Sequence, residues 1–215
     1  MFDTSFTSND LRFMLDGALV TLHLTFWAVL LGTIGGVISG VIRWQLPRAS
    51  LPLAWVLDFF RGVPLLIQFV LFNAFKSLAG WDYSAFAVAS VVLGVCTTAY
   101  CSEIVRSGLE AVPTSLWRAG RSLGLSAPQC AVYVVAPMAT RIAFPGWINL
   151  ILSMMKDTSL VLWIGIIELL RASQTIVTRI QEPLLVLCIA GAIYYLMSLV
   201  IARAGHWIEQ KWQTQ

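Results

Sequence analysis

The stretch GALVTLHLTFWAVLLGTIGGVISGVI, residues 17–42, contains no Asp, Glu, Lys or Arg. A helix of about twenty apolar residues matches the roughly 30 Å hydrocarbon core of a bilayer. The segment is therefore read as a membrane span. Working outward, the same pattern recurs at 63–78, 85–105, 142–167 and 183–204, giving about five spans. Residues 55–61 lead into the second span with a mixture of apolar and polar side chains, and residues 130–137 lead into the fourth along the interface. Backbone groups in lipid must be satisfied within the protein, which leaves helices or closed barrels. The runs are too long and alternate too little for barrel strands. The expected class is all-α, a polytopic membrane protein forming one transmembrane domain over residues 1–215.

Composition agrees. Hydrophobic residues make up 58% of the chain and charged residues 12%, with a mean hydropathy of +0.79. A soluble domain carries roughly twice that charged share. The net charge of +3 is scattered along the chain, so a nucleic-acid partner is not expected. Asp3, Asp10 and Asp16 stand where a signal peptide would be basic, which argues against a cleaved leader. The cysteines Cys96, Cys101, Cys130 and Cys188 lack metal-ligand spacing and read as small buried hydrophobes. Lone His23 reads as a satisfied buried imidazole. Gly32, Gly35, Gly36 and Gly40 suit close helix packing. Lys and Arg concentrate after the first span, between the third and fourth, and after the fifth. By the positive-inside rule these sides face the cytoplasm, with the N-terminus outside.

The longest polar interruption is 107–130. Pro113 and Thr114 are helix-start signals. Leu116, Trp117, Gly120 and Leu123 then fall on one helical face. Gly124 supplies a stop, and Ser126 with Pro128 opens a second helix. Ala119 and Gly120 are expected to keep the outer surface low enough for another protein to approach. On pattern alone, a helix lying flat on lipid fits equally well.

Charges within the apolar runs are the remaining candidates. Lys156-Asp157-Thr158-Ser159 falls near the middle of the fourth run, where a charge costs about 2.5–3.5 kcal/mol on insertion scales. It needs a partner or a polar cavity. These residues can serve a zwitterionic substrate, or brace a subunit interface with Thr and Ser bonding back to the helix. Glu103 with Arg106, and Asp58 with Arg61, are three apart and suit structural ion pairs. Glu168 opens a short interfacial helix with Leu169 and Leu170, or meets a solute or protein from outside. Asn149 reads as interhelical glue. The chain has no Gly-x-x-x-x-Gly-Lys-Ser/Thr loop and no nucleophile–base constellation. It is read as non-catalytic and as binding no cofactor itself.

The segment Arg118-Ala119-Gly120 followed by Gly124 resembles the loop that couples permease subunits of ABC importers to their ATPase. That motif reads Glu-Ala-Ala with a Gly four residues on, so Arg118 replaces the acid and Gly120 the second Ala. Pro113-Thr114-Ser115-Leu116 stands where Pro-x-Gly-Gln is usual. Further segments resemble the polar-amino-acid permeases, relatives of the histidine, glutamine and glutamate/aspartate systems. They are Thr21-Leu22, 61–66, 99–106, 141–145, 156–161 and 168–171, in matching order over nearly the whole chain. Phe144-Pro145-Gly146 departs from the usual Leu-Pro-Pro. The resemblance implies a type I importer permease in a bacterial inner membrane, carrying a polar L-amino acid. Its implied partners are an ATPase dimer that holds ATP and Mg, a second permease subunit (identical or homologous), and a periplasmic or lipid-anchored binding protein. The competing expectation is a small oligomeric secondary transporter or channel without an ATPase.

Overall fold

A computed structural model describes residues 5–213, so Asp3 lies outside the described residues. Among the described residues the fold is all-helical. Helix α1 runs Ser8–Gln45, α2 Leu51–Gly62, α3 Leu65–Leu78, α4 Ala85–Glu110 and α5 Thr114–Ser122. Helix α6, Ala127–Cys130, continues through a π-helical turn, Ala131–Val135, into α7, Ala136–Asp157. A 3-10 segment, Thr158–Ile164, leads to α8, Leu169–Ile180, and α9 covers Pro183–Gln213.

Four helical stretches are long and apolar enough to cross a membrane: Ser8–Gln45, Ala85–Glu110, Ala127–Ile164 and Pro183–Trp212. The pair α2 and α3, bent by 106°, is apolar enough to count as a fifth only when its two helices are taken together. The bend falls at Val63-Pro64 because Pro64 disfavours a helical residue before it. Gln68, 3% exposed, donates to the carbonyls of Phe60 (2.8 Å) and Val63 (2.9 Å), closing the end of α2.

Two span boundaries differ from the sequence reading. The first helix begins at Ser8 rather than Gly17, because the Asp10 carboxylate accepts from the Thr7 N–H and hydroxyl and pairs with Arg179 of α8. The fourth span does not wait for Ile142 behind an interfacial lead-in. It is continuous from Ala127, and its α-helix ends at Asp157 instead of carrying Lys156–Ser159 mid-helix.

Helix α4 is the hub. Its partner is α1, and the seam between them is the predicted glycine row. A Cβ on Gly32 would lie 2.3 Å from the Thr97 Cβ, and one on Gly36 2.4 Å from the Cys101 Cβ. Val161 of the 3-10 segment joins Leu24, Ala28, Phe69 and Val92 in one core cluster, which fixes α3 against α4. A second cluster at the far end joins Met14, Leu169, Ile176 and Val186. Cys96, Cys101 and Cys130 are buried, whereas Cys188 is exposed. His23 is satisfied but not buried: it lies exposed, accepts from the Trp27 indole N–H at 2.9 Å and meets Phe86.

The two ends of the bundle are distinct. Trp44 at the end of α1 meets Trp117 of α5, and Trp212 of α9 meets Phe144 near the start of α7. The opposite end holds the start of α1 against α8. The first and last described residues therefore lie at opposite ends.

Candidate functional site

Three places gather the residues singled out by the sequence. The first is the α5 loop. Thr114–Ser122 is helical, and Gly124 closes the turn at φ +85°, a left-handed conformation that costs an L-residue roughly 1–2 kcal/mol. Ser126 caps the next helix by accepting from the Gln129 N–H, and the Gln129 side chain accepts from the Ser126 N–H at 2.8 Å. Leu116 and Trp117 pack with Leu109, Val112, Val135 and Ala139. The Cys130 thiol donates to the Trp117 carbonyl at 3.5 Å, and Arg121 donates to the Leu125 carbonyl at 2.7 Å.

This geometry corrects the expected surface. Gly120 is buried, and a Cβ there would stand 2.8 Å from the Cys130 sulfur. Its smallness serves internal packing, not an approaching protein. Leu116, Trp117 and Gly120 share the inward face, while Leu123, expected on the same face, is 84% exposed because the helix ends at Ser122. The outward face holds Arg118, Ala119, Arg121 and Leu123. Cys130, absent from the sequence reading of this loop, accounts for Gly at 120: the sulfur occupies the space of the missing methyl.

The second place lies where α1, α2 and α4 meet. The two expected pairs are present, Arg61–Asp58 at 3.1 Å and Arg106–Glu103. They are not separate. Glu103 also holds Arg43 at 3.1 Å and Arg61 at 3.5 Å, and Arg106 reaches Glu110 at 2.6 Å. One carboxylate thus collects three guanidiniums from three helices. Arg43 had no local spacing signal, since its partner is sixty positions away; from sequence it read only as an orienting charge. Tyr100 adds a hydroxyl donated to the Arg61 carbonyl at 3.4 Å and a ring beneath the Arg61 guanidinium.

The third place is the end of α7. Lys156 is exposed, Asp157 and Ser159 half-buried and Thr158 buried. The Thr158 hydroxyl bonds back to the Met155 carbonyl at 2.7 Å. Met154 packs with Cys101 of α4 and Val161 joins Val92 and Leu93, which brackets Asp157 at the level of Cys96. Cys96 stands eleven residues into α4, about 16 Å from its Ala85 end at 1.5 Å per residue. The break in α7 therefore sits near mid-depth. Among the described residues, neither Lys156 nor Asp157 has an ion-pair partner. Asn149, expected to bridge helices, lies exposed on α7 in the single chain.

Glu168 is placed apart from these. It is fully buried and caps α8, accepting from the Leu170 N–H (2.8 Å), the Arg171 N–H (2.7 Å) and the Tyr194 hydroxyl (3.0 Å). Burial pushes its carboxyl above the ordinary carboxylate range, against those three donors. Glu168→Ala should remove the cap and strand the Tyr194 hydroxyl. The expected loss is about 2–4 kcal/mol. A fall in the melting temperature of the detergent-purified protein would report it, with Glu168→Gln less affected.

Comparison with known proteins places the chain among transport proteins. The family model described as binding-protein-dependent transport system inner membrane component matches residues 32–214. The L-cystine transport system permease protein TcyB of Bacillus subtilis (strain 168) is 32% identical, over 91% of this chain and 84% of that protein. The arginine transport system permease protein ArtQ of the same organism is 28% identical, over 97% and 96%. A crystal structure of an amino acid ABC transporter with histidines superposes with a TM-score of 0.86 at 28% identity, covering 94% of each chain. An inward-facing structure of the MetNI methionine ABC transporter shares the fold, with a TM-score of 0.81 at 19% identity over 96% and 99%.

Proposed function

The chain belongs to the binding-protein-dependent transport system inner membrane components, and on that premise we propose that it is the permease subunit of an ATP-driven importer for a polar amino acid. Relatives across almost its whole length are named as cystine and arginine permeases. The observation that carries the mechanism is how α5 is mounted. Its inward face is bolted to α1 through Trp117 and Trp44, and to the lead-in of α7 through Gly120 and Cys130. A push on α5 therefore moves α1 and α7 together rather than bending a loop.

The α5 end faces the cytoplasm in this reading, since Arg43, Arg106, Arg118, Arg121, Arg141, Arg203 and Lys211 gather there. The first residues lie outside and the last inside, in a bacterial inner membrane. Two ATPase subunits, holding ATP and Mg, grip the outward faces of two such loops. Arg118 stands where the family carries an acid, so the complementary groove on the ATPase carries an acidic group. Two permeases, identical or homologous, enclose the path, and a periplasmic or lipid-anchored binding protein delivers the solute. Closure of the ATPases drives the helices between two arrangements, giving alternating access. Asp157, Thr158, Ser159 and Lys156 line the path, where an amino-acid carboxylate and ammonium need a donor and an acceptor. Glu168 supports that path from the outer end as the cap of α8.

The test uses the exposed tip. Leu123→Asp leaves the bundle core untouched and should abolish co-purification of the ATPase along with uptake. Gly124→Leu, strained by its positive φ but with nothing within 4 Å, should weaken both without unfolding the bundle. Normal assembly and uptake in both variants would refute docking through α5. Uptake that survives loss of the ATPase but collapses with the proton gradient would favour a secondary transporter instead.

A further inference from the structure

The groove between the end of α3 and the start of α4 has no part in the transport reading. Helix α3 ends in a left-handed turn. Gly80 has φ +67°, the Trp81 N–H donates to the Lys76 carbonyl at 3.1 Å, and the Gly80 N–H donates to the Ser77 carbonyl at 3.3 Å. The turn folds Trp81 back onto Phe75, with ring centroids 6.3 Å apart, and Tyr83 follows at 6.0 Å from Trp81. Beside these rings lies an open groove of about 700 Å³. Leu71, Phe72 and Phe75 form one wall, and Ala87, Val88 and Val91 the other. Among the residues that line it, Lys76 alone is charged.

Charge and depth choose the occupant. Lys76 is half-buried in this apolar setting, and among the described residues no carboxylate lies within ion-pair reach of it. Asp82 is exposed on the turn and outside the groove lining. An ammonium so placed calls for an anion. Trp81 and Tyr83 add an indole N–H and a hydroxyl at the same opening. Ser84 caps α4 here, so the opening sits where the chain turns between two apolar helices, the level at which Trp and Tyr meet head groups. Val91 stands six residues into α4, about 9 Å deeper at 1.5 Å per residue. The groove therefore has a cationic, hydrogen-bonding mouth and an apolar floor that runs into the hydrocarbon. A helix of another subunit matches the floor but must bring an acid for Lys76. A phospholipid carries both parts in one molecule, in that order. We propose that this groove binds one anionic glycerophospholipid, with its phosphate paired to Lys76 and hydrogen-bonded by Trp81 and Tyr83, and one acyl chain laid along Phe72, Phe75 and Val91. Such a site requires only that the chain cross a membrane, whatever solute it carries. A zwitterionic head group brings its own ammonium, which competes with Lys76 for the phosphate. The site should therefore prefer phosphatidylglycerol to phosphatidylcholine, about fivefold for one partly exposed ion pair.

The experiment uses the full-length protein, purified in detergent with the subunits that accompany it and equilibrated with an equimolar mixture of the two lipids. Mass spectrometry of the intact assembly counts the lipids retained. The unmodified protein should keep phosphatidylglycerol about fivefold over phosphatidylcholine, and Lys76→Arg should preserve that ratio. Lys76→Gln should bring it to parity. Val91→Trp fills the floor without touching the charge and should lower retention of both lipids. Equal retention of the two lipids by the unmodified protein, or an unchanged preference in Lys76→Gln, would overturn the proposal. A disulfide between two differently tagged Phe75→Cys copies would also overturn it, by seating a second copy on the groove.

Discussion

Replacing Gly36 with leucine is expected to abolish recovery of the folded protein. A Cβ at this position would already stand 2.4 Å from the Cys101 Cβ and 2.7 Å from its sulfur. Those atoms belong to a buried residue of α4 that also packs against Leu150 and Met154 of α7. Nothing at the seam is the free end of a flexible side chain, so the whole α1–α4 contact must open. Overpacking costs about 1–3 kcal/mol when neighbours can shift, and here the separation of two long helices exceeds that range. In lipid the loss is not offset by a hydrophobic drive, since helix association there rests on close packing. The measurement is the monodisperse yield after detergent extraction. Gly191 on α9, with nothing within 4 Å, is the control: Gly191→Ala should be neutral or gain roughly 0.5–1 kcal/mol.

The second large effect is expected at Glu103. Glu103→Ala takes one partner from three guanidiniums and strands Arg43, the most enclosed, with 9% of its side chain exposed, while Arg61 keeps Asp58 and Arg106 keeps Glu110. Breaking a buried pair from one side costs about 3–5 kcal/mol. The Glu103 side chain is 26% exposed, and solvent screening lowers the expected loss to about 2–3 kcal/mol. Because the arginines come from α1, α2 and α4, the loss should appear as release of the α2 arm, readable as faster hydrogen exchange across Leu51–Gly62. A thermal shift accompanies it. Arg43→Met in the same chain should recover part of the stability by removing the stranded charge. A double variant no better than the single one would show that Glu103 acts through Arg61 and Arg106 alone.

The apolar runs gave about five spans, and the starts at Ala85 and Pro183 coincide with helix starts in the structure, where Ser84 caps α4. The start of α1 was not, because hydropathy weighs Asp10 as a break, whereas its carboxylate caps the helix and meets Arg179 from the far end of the chain. The bend at Pro64 was half legible: proline announces a boundary, but Gln68, which secures it, reads from sequence as any polar residue. At α5 the helix, the turn and the cap followed from Pro113, Gly124 and Ser126. The facing of Gly120 did not, since it depends on Cys130, a residue that composition treats as filler. The i,i+3 pairs around Glu103 and Arg61 were local and visible; their merging through Arg43 was a tertiary event. The pairing of Glu168 with Tyr194 is of the same kind, and links α8 to α9 across twenty-six positions.

The bend between α2 and α3 has one more effect. Past the bend, the 14 residues of α3 reach about 21 Å, against a hydrocarbon core of roughly 30 Å. That is a hydrophobic mismatch, and a bilayer beside such a helix thins, or the helix is kept from lipid by a neighbouring subunit. Ile67, Val70, Leu71 and Phe75 are uncovered in the isolated chain, so this short helix offers an apolar face to lipid or to a neighbouring subunit.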